Sequence, residues 1–153
     1  MHQDTTHSAA KPRTIDILLA NYADSHRNQT NEIIHCVCVP AIVFSVLGLI
    51  WALQPWLALA AAVLALIYYC TLSLFFAVGM LLMSGLFLAL LYALPVGLVL
   101  PVSIGVFVLA WIGQFIGHKI EGKKAIVFDD LRYLLIGPLF VLGFLYRRLG
   151  ISY

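Results

Sequence analysis

From residue 33 to residue 118 the chain runs through 86 consecutive positions without one aspartate, glutamate, lysine or arginine. A soluble domain of this size needs charged side chains on its surface, so a block of this length has a bilayer as its solvent. The rest of the composition agrees: 63% of the 153 residues are hydrophobic and 10% charged, against about a quarter charged in ordinary soluble domains. At about 20 residues per span the block holds about four helices, which leaves no room for a large soluble catalytic domain or a dozen-helix transporter. The fold class expected is all-α, an integral membrane helical bundle of four spans.

The apolar runs are Cys36–Leu53, Leu57–Val78, Met80–Leu94 and Val96–Gly117, with Gln54-Pro55, Gly79 and Pro95 as breaks. Ahead of them, residues 1–13 contain Ser, Thr, His, Lys and Pro but no apolar run, and read as a flexible tail without the core of a signal peptide. Residues 14–153 read as one membrane-embedded domain. From Thr14 to Asn28, Ile15, Leu18, Leu19 and Tyr22 recur at helical spacing opposite Asp16, Asp24 and Arg27, the pattern of an amphipathic interfacial helix. Asn28-Gln29-Thr30-Asn31 then breaks the pattern with capping residues, and Glu32 suits the positive end of a new helix starting near Asn31.

An even number of spans places Lys11, Arg13 and Arg27 on the same side as Lys119, Lys123 and Lys124, and the positive-inside rule makes that side, with both termini, cytoplasmic. The last apolar run, Leu131–Tyr146, is short and interrupted by Gly137-Pro138. A full crossing would put Arg147 and Arg148 outside, so a re-entrant or interfacial hairpin is favoured over a fifth helix. Asp129, Asp130 and Arg132 fit the cap of that last segment.

The function classes narrow in the same way. A net charge of +2 with basic residues confined to flanking segments gives no nucleic-acid face. The spans offer only Ser45, Thr71, Ser73, Ser84, Ser103 and Gln114 as polar groups, without the ionisable relay of a proton-coupled pump. Cys36, Cys38 and Cys70 lie in or beside apolar runs and read as small hydrophobes rather than as a disulfide. There is no phosphate loop, serine-hydrolase elbow or paired-cysteine metal motif.

What remains are histidines. His26, His35 and His118 all fall at one predicted border of the bundle. In one continuous helix, residues 26 and 35 would point to opposite faces, nine steps of about 100° being half a turn; the break near Asn28–Asn31 lets them converge. Asn31 and His35 share a face at i,i+4, so Asn31 can orient the imidazole or touch a ligand. Gln114, His118 and Glu121 occupy one polar face that also carries Trp111, and the Gly113–Gly117 pair permits the close helix approach that would set this face against His35. Three imidazoles with or without a carboxylate suit iron, zinc, copper or nickel, and spacing does not choose among them. Each residue also has a plain reading: a headgroup contact for a histidine, interhelical hydrogen bonding for Gln114, solvation for Glu121, and interface anchoring for Tyr22 and Trp111.

The two clusters, Tyr22-x3-His26-x4-Asn31-x3-His35-x4-Pro40 and Gln114-Phe115-Ile116-Gly117-His118-x2-Glu121-Gly122, resemble the widespread small membrane-protein family of the fungal 2-hydroxy fatty acid dioxygenase, with the likeness running from about Thr14 to Leu149. Relatives often have Gly where Cys38 stands and Pro where Ala125 stands. The resemblance implies an enzyme of the endoplasmic reticulum or bacterial inner membrane that uses Fe(II) and O2 to shorten a 2-hydroxy fatty acid by one carbon. It implies His26, His35 and His118 as metal ligands, with Glu121, Asn31 or Gln114 as fourth ligand or supporting partner. The hydroxyl and carboxylate of the substrate would chelate the metal and the acyl tail would lie between spans among membrane lipid. Lys119 or Lys123 would attract the carboxylate, against a plainer role as positive-inside anchors. The alternatives are a small-molecule transporter, which predicts a polar path, and a non-catalytic membrane scaffold, which predicts no metal.

Overall fold

A computed structural model describes residues 13–24, 26–122 and 132–151, which form six helices and no strand among the described residues. They are α1 (Thr14–Ala23), α2 (Gln29–Leu53), α3 (Pro55–Leu72), α4 (Leu74–Ala93), α5 (Val96–Glu121) and α6 (Arg132–Arg148). The segment 1–12, and with it Lys11, lies outside the described residues, as do Lys123, Lys124, Ala125, Asp129 and Asp130.

Helices α2 to α5 are each long and apolar enough to cross a membrane, and the chain is an integral membrane protein. At about 1.5 Å per residue, the 25 residues of α2 and the 26 of α5 reach well past a hydrocarbon core of about 30 Å. The surplus falls at the start of α2 and the end of α5, where the charges are. Pro55 opens α3 at a position where a helix needs no amide donor. Gly122 closes α5 in the left-handed conformation, φ 73°, that glycine adopts without a side-chain penalty.

Three expected boundaries move. The break between the second and third spans is at Ser73, in extended conformation, not at Gly79. Gly79 lies inside α4, where a Cβ would collide with the Tyr146 hydroxyl and the Leu142 side chain of α6; the glycine serves close packing rather than a turn. The first helix ends at Ala23 instead of Asn28, and Asp24 and Asn28 beyond it are residue types whose short polar side chains compete with a helix for backbone hydrogen bonds. Asn28 is the cap of α2, its side chain accepting from the Thr30 amide at 2.9 Å. Finally, Gly137-Pro138 does not divide the last segment into a hairpin: α6 is one helix through both residues. Pro138 removes an amide donor from this turn, and the Tyr69 hydroxyl donates to the nearby Leu135 carbonyl at 3.0 Å.

Helix α1 docks on α6: Ile15 and Tyr22 are buried in a cluster with Tyr69, Phe76, Ile136 and Phe140. This cluster closes the end of the bundle formed by the start of α2, the end of α3, the start of α4 and the end of α5. Arg147, in the last turn of α6, comes within 4.0 Å of Glu32 at the start of α2, so α6 ends on the side where α2 begins. The outward faces of the spans, with Leu64, Leu82, Leu98 and Leu109 all exposed, are what lipid covers.

Candidate metal centre

The tightest helix pairing is α2 against α5, and it follows from glycine. A Cβ on Gly117 would strike the Asn31 carboxamide oxygen, and one on Gly113 would come within 2.5 Å of the Cys38 sulfur. The missing side chains let the two backbones close, which sets His118 opposite His35. The connection from Asp24 to Asn28 then swings His26 into the same space. His26 belongs to this connection rather than to the preceding helix, its amide donating to the Ala23 carbonyl at 2.9 Å.

The three rings form a closed group. Centroid separations are 4.1 Å for His26–His35, 4.9 Å for His35–His118 and 5.3 Å for His26–His118, with the planes steeply inclined to one another. All three residues are at least nine-tenths buried. His26 Nδ1 donates to the Tyr22 carbonyl at 2.7 Å and His35 Nδ1 to the Asn31 carbonyl at 3.0 Å. A carbonyl only accepts, so these bonds place the proton of each neutral ring on Nδ1 and leave Nε2 with its lone pair, the tautomer a metal ligand requires. His35 Nε2 and His118 Nδ1 are buried and make no hydrogen bond among the described residues.

One ligand atom from each imidazole lies within 4.8 Å of the other two. Metal–imidazole bonds of about 2.0–2.1 Å bring two ligand atoms on one ion no more than about 4.2 Å apart, so small ring rotations suffice. The donor set also fits: borderline imidazole nitrogens suit iron, zinc, copper or nickel. These residues could hold a metal ion, whose identity the geometry leaves open. Cys36 and Cys38 stand outside the group.

The supporting residues divide by what they touch. Glu121 spends its carboxylate on the turn, not on the cluster: Oε1 accepts from the Arg27 amide at 3.0 Å, and Oε2 from the Asn28 amide at 2.9 Å and the Asn31 carboxamide at 3.1 Å. The negative charge sits against the free amides at the start of α2, where the helix dipole favours it, and it ties the end of α5 to the turn that carries His26. Asn31 orients His35 through its main-chain carbonyl, while its side chain joins Glu121. Gln114 is buried beside His35, and its amide nitrogen has no partner at good hydrogen-bonding geometry among the described residues. Lys119 is exposed, one residue and so about 100° around the helix from His118.

Two aromatic residues complete the site. Tyr22, read from sequence as an interface anchor, is buried and stacks flat on His26, with centroids 4.3 Å apart and planes at 4°. Burial raises its phenol pKa well above the ordinary value, so the ring remains neutral. Phe140 of α6 lies 5.0 Å from Tyr22 and 5.4 Å from His26 and excludes water from that side. The i,i+4 spacing of Tyr22 and His26 was a signal for the first contact; nothing local in the sequence points to Phe140.

A buried three-imidazole cluster at one end of a four-span bundle, its rings pre-set by backbone carbonyls, defines a small membrane protein with a histidine site competent for metal. Its residues 13–73 and 66–149 match the family described as Mpo1-like, 2-hydroxy-palmitic acid dioxygenase Mpo1-like. The chain belongs to this Mpo1-like family. It is 32% identical over 142 residues, 86% of this chain and 79% of the relative, to the 2-hydroxy-palmitic acid dioxygenase MPO1 of Saccharomyces cerevisiae. No solved structure shows significant similarity to it.

Proposed function

We propose that the protein is an Fe(II)-dependent dioxygenase that shortens 2-hydroxy fatty acids by one carbon. The observation that carries the reading is the convergence of His26, His35 and His118, with a buried ring nitrogen on His35 and on His118 that makes no hydrogen bond among the described residues. The family relationship supplies the substrate class. Written with the lost carbon leaving as carbon dioxide, the reaction of a 2-hydroxy acid with O2 to the shorter acid and water balances without a separate reductant: the substrate gives up four electrons and O2 takes four.

His26, His35 and His118 would hold the ion, and bound iron would supply a centre that accepts the 2-hydroxy carboxylate and O2 together. The Tyr22 and Asn31 carbonyls hold the protons of His26 and His35 on Nδ1, fixing both rings for ligation. Glu121 positions the turn of His26. Tyr22 and Phe140 wall the site from water. Gln114, buried beside His35 with an unused amide, is placed to donate a hydrogen bond to a bound oxygen-rich head group.

Among the described residues, Arg27, Lys119, Arg147 and Arg148 gather at the site's end of the bundle, and the turns at the opposite end, near Gln54 and Pro95, carry no charge. By the positive-inside rule the site and both termini face the cytoplasm, in a bacterial inner membrane or an endoplasmic reticulum. Ser45, Ser84 and Ser103 each donate to a carbonyl of their own helix, which favours an enzyme over a transporter with a polar path.

The test is anaerobic reconstitution of the purified protein with Fe(II), followed by O2 and 2-hydroxypalmitate. The expected result is stoichiometric O2 uptake with formation of the acid one carbon shorter. No O2 uptake by iron-loaded protein would remove the enzyme reading.

A further inference from the structure

A cavity of about 150 Å³ lies between α2, α3, α4 and α6, apart from the imidazole cluster but on the same stripe of α2. His35, Val39, Ile42, Val46 and Ile50 succeed one another at helical three- and four-residue steps and so line one face. Ile42, Val46 and Ile50 border the cavity; Ala61 and Ala65 of α3 face them, and Pro138 of α6 covers the end nearest the site. Val39 lies between His35 and Ile42 on this stripe, close to Gly137 where α6 approaches α2. The polar side chains of the lining are already used: Ser84 donates to the Met80 carbonyl and Tyr69 to the Leu135 carbonyl. Nothing there offers water the several hydrogen bonds it needs, and an apolar cavity of this size takes an apolar guest instead.

We infer that this cavity receives the acyl tail of the substrate and that the small residues Ala61 and Ala65 set the chain length accepted. The inference rests on the proposed 2-hydroxy acyl reading of the metal site. From His35 to Ile50 the stripe rises about 22 Å along α2. One acyl layer of a bilayer is about 15 Å deep, half of a hydrocarbon core of about 30 Å. A long-chain acid with its head at the imidazoles therefore reaches past Val39 into the cavity. A larger groove of about 570 Å³ between α2, α4 and α6 begins at Cys36 and Pro40, but Cys36 lies about 100° around α2 from His35, and that face leads away from the cluster.

The full chain in lipid nanodiscs would be photolabelled with a 2-hydroxy fatty acid carrying a diazirine near its methyl end. The expected label falls on residues 42–50 and 61–65, is displaced by unlabelled 2-hydroxypalmitate, and moves toward Ile42 as the diazirine is moved toward the head. In turnover, Ala61→Phe should shift the preference between long and short chains by about tenfold or more, and Ala65→Phe toward shorter chains still. Saturable label on Leu82 and Met83 of the larger groove, label only on lipid-facing Leu64 and Leu81, no saturable label, or an unchanged chain-length profile in both folded variants would each overturn the inference. Cavity labelling in iron-loaded protein that consumes no O2 would sink the dioxygenase reading and leave the acyl site. Turnover with label elsewhere would do the reverse.

Discussion

Each imidazole of the cluster owes its setting to a different part of the chain, and single substitutions therefore fail in different ways. Removing the ring of His35 would take away one of the three imidazoles proposed to hold the ion and leave the Asn31 carbonyl, which still has its helical role, undisturbed. His26→Ala also removes the ring stacked on Tyr22, so it should loosen the Asp24–Asn28 connection besides losing metal. Glu121 supports the turn instead of the ion. Glu121→Ala should weaken metal binding by about 10- to 100-fold, the usual cost of losing a group that orients ligands, measured by competition with a chelator of known affinity. Unchanged affinity would show that the turn holds His26 without it. The residue types and the helix break were legible in the sequence, because nine steps from one histidine to the next and a run of capping side chains are local facts. The target of the Glu121 carboxylate was not legible: its partners Arg27, Asn28 and Asn31 lie ninety or more positions away, and no short-range rule selects backbone amides over an ion. Tyr22 was misjudged because its burial depends on α6, whose packing no periodicity in α1 reveals.

At the scale of elements, the close approach of α2 and α5 is the condition for the site. Gly117→Ala drives a methyl group into the Asn31 carboxamide, which is itself bonded to Glu121, so either that bond is given up or the helices part. A loss of about 1–3 kcal/mol is typical of such overpacking, and metal affinity should fall with it. Gly113→Ala meets only the Cys38 thiol and should be milder. Gly105→Ala is the control, with open space around its Cβ and a helix propensity gain of up to about 1 kcal/mol. Thermal unfolding in detergent, with metal titration of each variant, orders the three; Gly117→Ala as stable and as metal-competent as Gly105→Ala would contradict this role. The Gly-x-x-x-Gly spacing carried this pairing in the sequence. Gly79 and Gly137 misled, because a glycine that admits a neighbouring helix and one that ends a helix look alike until the neighbour is known. Gly79 admits α6, and Gly137, on α6 itself, admits Tyr22 of α1 and Val39 of α2, contacts between segments far apart in the chain.

For the whole molecule, the 86-residue block without charge made membrane residence and about four spans readable, with a fifth left open by the last apolar run, and the structure has four helices able to cross among the described residues. Four crossings with α6 ending near Glu32 would put Arg13 and Ile151 on one face. Single cysteines at Arg13 and Ile151, in a background lacking Cys36, Cys38 and Cys70, should react with an impermeant reagent from the same side of oriented vesicles. Opposite accessibility would require a fifth crossing. The apolar spans, not the metal, hold this bundle in the bilayer, so losing the ion should leave helicity intact. That separation allows the central claim, one ion held by three histidines, to be read without reference to turnover. Elemental analysis of the purified wild type and of the His26→Ala, His35→Ala and His118→Ala variants, each checked for helicity, should give one metal per chain in the wild type and none in any variant. A helical His35→Ala protein that kept a full equivalent of metal, or a wild type that bound none after reconstitution, would contradict it.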